Sequence, residues 1–183
     1  SRVSVSSSGQ QGIFNSLRSV ISANGRQVVF SSWANNLTQG DTNDTYDVFV
    51  HDLQTGQTTR ASVSSNGQQA NDSSGFYGLS ISGDGRYVAF TSGANNLVNG
   101  DTNNQDDVFV HDRQTGQTSR VSVSSNGQQG SNESGQFGVE LSNNGLYVAF
   151  CSESSNLVDG DTNSRGDVFV HRRALGPIPV PPE

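Results

Sequence analysis

"SGDGRYVAFTS" (82–92), followed after a polar gap by "DVFVHDRQTGQTSRVSV" (107–123), is the stretch on which the fold depends. Its Asp84-Gly85 pair tolerates positive φ at two successive residues, which a two-residue hairpin turn requires. The apolar residues around it fall in short β-branched and aromatic runs bounded by Gly, Asn and Asp, a strand signature rather than a helical one. Four strands are expected, A at 76–82, B at 86–92, C at 107–112 and D at 117–124. The A–B and C–D connections are tight, whereas B–C and D–A are long and polar. In an up-and-down sheet alternate connections emerge on one side, so all the long loops share a face, and ligands are expected there.

The pattern recurs. "GDTN" begins at Gly40, Gly100 and Gly160, and "VFVH" at Val48, Val108 and Val168, a period of 60 residues. "RVSVSS" at 2–7 returns as "RASVSS" at 60–65 and "RVSVSS" at 120–125, the first interval being shorter by two. A fixed period of this length marks an architecture of stacked sheet units. The expected division is 1–7 as an orphan outer strand, 8–65, 66–125 and 126–173 as three units, and 174–183 as a Pro-rich tail.

"SGDGRYVAFTS" with "DVFVHDRQTGQTSRVSV" resembles the TolB-like, WD-type β-propeller repeat over residues 1–173. The resemblance implies an all-β chain of three four-stranded propeller blades, half of a six-bladed ring. It implies little about function, because such blades serve many proteins. Copy three departs from the repeat: Leu146 stands where Arg26 and Arg86 stand, and Pro177, Pro179, Pro181 and Pro182 fall where its D strand belongs. Proline cannot donate to a ladder, so the third blade is expected to lack an outer strand of its own. Three blades are too few to close a ring. The expectation is a twofold dimer in which Arg2, Val3 and Val5 of one chain pair beside Val168 and Val170 of its partner. A fragment of a longer propeller, or a threefold closed body such as a β-trefoil or β-prism, is the alternative.

Composition narrows the partners. The net charge is −7, reached with ten arginines and no lysine, which disfavours nucleic acid and anionic membrane. No apolar run approaches 18 residues, and the absence of methionine predicts a trimmed or processed chain. Cys151 is the only cysteine; Ser31 and Thr91 are its counterparts, so it reads as a small half-buried filler.

Asp41, Asn43 and Asp47 stand at positions 1, 3 and 7 of the first GDTN loop, matched by Asp101, Asn103, Asp107 and by Asp161, Asn163, Asp167. Oxygen donors at alternate positions suit calcium, although the sixth-position glycine and terminal glutamate of a helix-flanked loop are missing. The competing reading is a turn that bonds its own backbone. His51, His111 and His171 share one repeat position, too far apart in a propeller to hold one ion, and are expected to bond locally, while Asp52 and Asp112 brace the C–D turn. Trp33, Glu140, Cys151 and Glu153 break the repeat. Trp33, beside a long loop, is the expected ligand-binding residue, and Glu140 the expected channel carboxylate. No catalytic set stands out, since no serine sits in a Gly-x-Ser-x-Gly elbow. The expected function is a non-enzymatic scaffold or interaction module, extracellular, cell-surface or periplasmic, calcium-stabilised and self-associating. The alternative is a lectin-like propeller binding glycans at repeated "SNGQQ" and "GDTN" loops.

Overall fold

The computed structural model describes residues 1–174. They form three antiparallel sheets and no helix. The first sheet holds β1 (Ser16–Ile21), β2 (Gln27–Ser32), β3 (Asp47–Asp52) and β4 (Thr58–Arg60), in chain order. The second holds β5 (Ser74–Ile81), β6 (Tyr87–Ser92), β7 (Asp107–Asp112) and β8 (Gln117–Arg120). In the third, β9 (Ser134–Leu141), β10 (Tyr147–Ser152) and β11 (Asp167–Arg172) follow the same order. The stretch expected to lack a fourth strand lies, from residue 175 on, outside the described residues.

Successive sheets touch through their first strands, β1 against β5 and β5 against β9, as blades do around a common axis. Each blade presents two faces. Val48 and Val50 of blade 1 look forward onto Leu79, Ile81, Val88 and Phe90 of blade 2, all buried in one core. Val108 and Val110 of blade 2 meet Val139, Leu141, Val148 and Phe150 of blade 3 in the same way. Inside each blade one cross-strand phenylalanine pair repeats: Phe30–Phe49, Phe90–Phe109 and Phe150–Phe169, with centroids 5.8, 5.9 and 6.0 Å apart. The chain is thus all-β and built of propeller blades, each burying its apolar alternation against the next.

Strands A and D differ from expectation. β5 and β9 begin at Ser74 and Ser134, because Gly75 and Gly135, at φ +72° and +85°, carry a bulge that admits the hydroxyl pairs Ser74–Ser92 and Ser134–Ser152. β8 stops at Arg120, because the Ser122 hydroxyl, not a further strand, accepts the Val108 N–H. Residues 121–125 then cross over to the next blade.

That crossover corrects the reading of residues 1–7. Ser65 Oγ accepts from the Thr118 amide of the following blade, at 3.0 Å, and Val63 O accepts from Thr118 Oγ1. Ser7 and Val5 do the same for Thr58 on β4 of their own blade. Val5 bridges only to Gln11, and Arg2 bonds the Gln11 side chain. Arg2, Val3 and Val5 therefore begin a crossover that ends on blade 1, and are not a spare outer strand for a partner. The shared "R-x-S-V-S-S" hid this, since only its arginine belongs to the D strand.

Candidate functional site

On the tight-turn side, the A–B turns of neighbouring blades are linked: Asn24 N–H donates to Gly83 O at 3.1 Å and Gly83 N–H to Asn143 O at 2.8 Å. Asp52 accepts from the Gln54 and Thr55 amides and from Arg26 Nε, each at 2.9 Å, and so ties the C–D turn to the A–B turn. In blade 2, burial by itself would raise the Asp112 carboxyl, but the bonds from Arg86 and the Gln114 amide overcome it and hold it at about 2. Arg86 and Arg173 both stack on Tyr87, 4.8 and 4.2 Å from its centroid. His51 and His111 each bond a threonine hydroxyl through Nδ1, at 2.9 Å, the local role expected of them. Burial pushes His111 down to about 4, so it stays neutral.

On the long-loop side, the GDTN carboxylates converge upon an arginine. Arg60 lies 3.6 Å from Asp41 and 3.5 Å from Asp47. Gln69, from the next unit, donates to both, Asn43 Nδ2 donates to Asp47 Oδ2 and to Ala70 O, and Ser62 Oγ donates to Asp47 Oδ1. Blade 2 repeats this with Arg120, Gln129, Asn103 and Ser122 around Asp101 and Asp107. Gly40, Gly100 and Gly160 supply the positive φ of the turn. Burial drives Asp47 up to about 6 against the opposing pull of Arg60, and drives Asp41, Asp101 and Asp107 upward too. A cation entering either loop would meet a guanidinium already in place. In copy three, Asn163 bonds Asp167 at 3.0 Å, and Asp161 and Asp167 have no arginine partner among the described residues. Among the described residues, no group of three or more His, Cys, Asp or Glu side chains is placed to hold a metal ion.

The sequence pointed to the carboxylates and missed their partners. The signal was present: Arg60 and Arg120, Ser62 and Ser122, and Gln69 and Gln129 recur at the same 60-residue period.

Trp33 joins a row of rings at the seam of blades 1 and 2. Its centroid is 6.2 Å from Phe14 and 5.7 Å from Tyr46; Tyr46 is 5.6 Å from Phe76, and Phe76 5.1 Å from Tyr77. Trp33 is 46% exposed and Phe76 42%. The row is single, because the counterparts of Trp33 are Gly93 and Glu153, and those of Tyr46 are Asp106 and Gly166. Broken symmetry, the feature that singled out Trp33, would have found Tyr46 and Phe76 as well. Glu140 lies on the inner side, accepting from Ser80 Oγ at 3.3 Å. Cys151 is half-buried on β10.

The end faces of the stack are bare. Val168 and Val170 on β11 are 73% and 66% exposed, whereas Val48, Val50, Val108 and Val110 at the same repeat positions are at most 1% exposed. At the other end, all six residues of β1 are exposed, Ile21 at 54% where Ile81 is at 6%. No helix among the described residues is long and apolar enough to cross a membrane.

No family model and no curated protein matches this chain. Among solved structures it is similar to TolB from Acinetobacter baumannii, at 15% identity and a TM-score of 0.47, over 87% of this chain and 32% of that one. It is similar to a putative TolB from Agrobacterium tumefaciens, at 15% identity and a TM-score of 0.44, over 85% of this chain and 52% of that one. It is also similar to the β-propeller domain of Cps50 (Swd1) from Myceliophteria thermophila, at 16% identity and a TM-score of 0.39, over 86% of this chain and 41% of that one. The chain spans between a third and about half of the length of these proteins.

Proposed function

We infer that the chain is a non-enzymatic interaction module that assembles with a second copy of itself, the forward face of blade 3 in each copy stacking on the rear face of blade 1 in the other. The observation that carries this is the exposure of Val168 and Val170 at 73% and 66%, at positions fully buried in both internal blade contacts. The complementary rear face, with Ile21 and Val28, repeats the positions of Ile81 and Val88 that cover Val48 and Val50. Two chains joined in this way present six blades, within the range in which propellers close, and the twofold ring limits growth into fibres. Covering each valine contributes about 1–2 kcal/mol from the apolar area removed from water.

Calcium is not required in this reading for the first two loops, since Arg60 and Arg120 neutralise them from within; any stabilisation by calcium belongs to the third, through Asp161 and Asp167. Sedimentation equilibrium at micromolar concentration tests the assembly. A dimer is expected, with Val168→Glu, Val170→Glu giving a folded monomer. Val158→Glu, at an exposed loop position away from the face, should leave the dimer intact. A monomeric wild-type chain, or a dimer indifferent to the face variant, would refute the reading.

A further inference from the structure

The blade 1–blade 2 seam encloses a cleft of about 410 Å3 lined by Trp33, Tyr46, Phe76, Tyr77 and Asp106, with Ser73, Thr45 and Thr91 completing the wall. We propose that this cleft binds a small organic ammonium ion, a quaternary or alkylated amine, with Trp33 and Phe76 presenting ring faces to the cation and Asp106 as its counter-charge.

The electrostatics of the walls support a cation. Aromatic faces carry negative potential and attract ammonium groups, most strongly on tryptophan. Asp106 accepts no side-chain hydrogen bond among the described residues, and its neighbours make its charge worse. Burial, Glu133, Asp72 and Asp107 together push it up to about 6. A Cβ placed on Gly93 would lie 3.3 Å from Asp106 Oδ1 and 3.5 Å from Asp72 Oδ2, so both carboxylates converge on the one position where the repeat has no side chain. The ion pairs among the described residues engage Asp41, Asp47, Asp52, Asp101, Asp107 and Asp112, and leave Asp72, Asp106 and Glu133 without an arginine. Arg18, near the seam, donates its Nε to Phe76 O. An ammonium ligand would supply the positive charge that this corner lacks.

A neutral sugar could stack on the same rings but would find fewer bonding groups, because Thr91 Oγ1 already accepts the Gly78 amide. The cleft uses none of Ile21, Val168 and Val170, so its occupation is separable from assembly.

Trp33 is the only tryptophan, and its fluorescence reports on the cleft directly. The test titrates choline chloride into the full chain, with sodium chloride at equal ionic strength and methyl glucoside as separate arms. A saturable change is expected with choline alone. Phe76→Ala and Asp106→Asn, which keep the reporter, should each weaken binding roughly three- to thirtyfold while the melting temperature stays within a few degrees of wild type. Equal responses to choline and sodium chloride, a response to the glucoside alone, or full affinity in Asp106→Asn would each overturn the proposal. If a variant unfolds, chemical-shift mapping of choline on the wild-type chain decides it: perturbations must centre on Trp33, Tyr46 and Phe76.

Discussion

Removing Arg60 is the most demanding test of the loop architecture. Its side chain is 8% exposed, 3.5 Å from Asp47 at 0% exposure and 3.6 Å from Asp41. At an effective dielectric constant of about 20, each contact is worth ~5 kcal/mol before desolvation is charged against it. Desolvation wins at Asp47, whose carboxyl sits at about 6 despite the guanidinium. The hub is therefore not a large net source of stability, but breaking it strands a buried charge, which costs about 3–5 kcal/mol in buried pairs. Arg60→Ala should fall at the low end, ~3 kcal/mol at pH 7, because a carboxyl titrating near pH 6 can escape its charge by taking up a proton for about 1 kcal/mol. The sign of the pH dependence follows. A raised folded-state pKa means that the folded protein binds more protons between pH 4 and 6, so this stability is present below pH 4 and lost as pH rises through 6. The penalty of Arg60→Ala must then shrink on going from pH 7 to pH 5. Urea denaturation, read as a midpoint shift at unchanged slope, measures it. The double variant Arg60→Met, Asp47→Asn removes both charges and should recover most of the loss. A pH-independent penalty, a single-variant cost under ~1 kcal/mol, or a double variant as damaged as the sum of its singles would refute the reasoning.

Other outcomes follow from packing and titration. Gly135→Ala should destabilise by ~2–4 kcal/mol in the same denaturation assay, since φ is +85° and the added Cβ would lie 2.3 Å from Thr91 Cγ2 and 2.9 Å from Val108 Cγ2. His111, held neutral with its pKa lowered to about 4, gives stability that is complete above pH 6.5 and lost as pH falls toward 4, because there the unfolded chain binds the proton that the folded one refuses. His111→Gln should remove ~3 kcal/mol of that acid-side decline, measured as the difference between wild-type and variant curves. The raw curve is less informative, since Asp47 and Asp106 change stability in the opposite direction over the same range.

Much of this protein was already decided in the chain. The Asp84-Gly85 turn, the alternation through Leu79 and Ile81, and the 60-residue period are local or nearest-neighbour properties, and they determined strand order, blade count and the split between tight-turn and long-loop sides. The local roles of His51 and His111, and of Asp52 and Asp112 in their turns, were legible for the same reason: their partners lie within one hairpin.

What only the tertiary structure decided involves groups brought together across blades. Asp41 and Asp47 look like a cation loop until Arg60 and Gln69 arrive from the D strand and the crossover beyond it. Residues 1–7 match the start of a strand in sequence, yet the hydroxyl of Ser7 and the carbonyl of Val5 place them as a crossover against β4. The aromatic cleft draws Trp33 and Tyr46 from one blade and Phe76 and Tyr77 from the next, with Asp106 beside them. Periodicity specifies which way a side chain points within its own sheet; which distant side chain fills the space opposite is set by how the blades stack, where burial and charge act between residues with no local pattern in common.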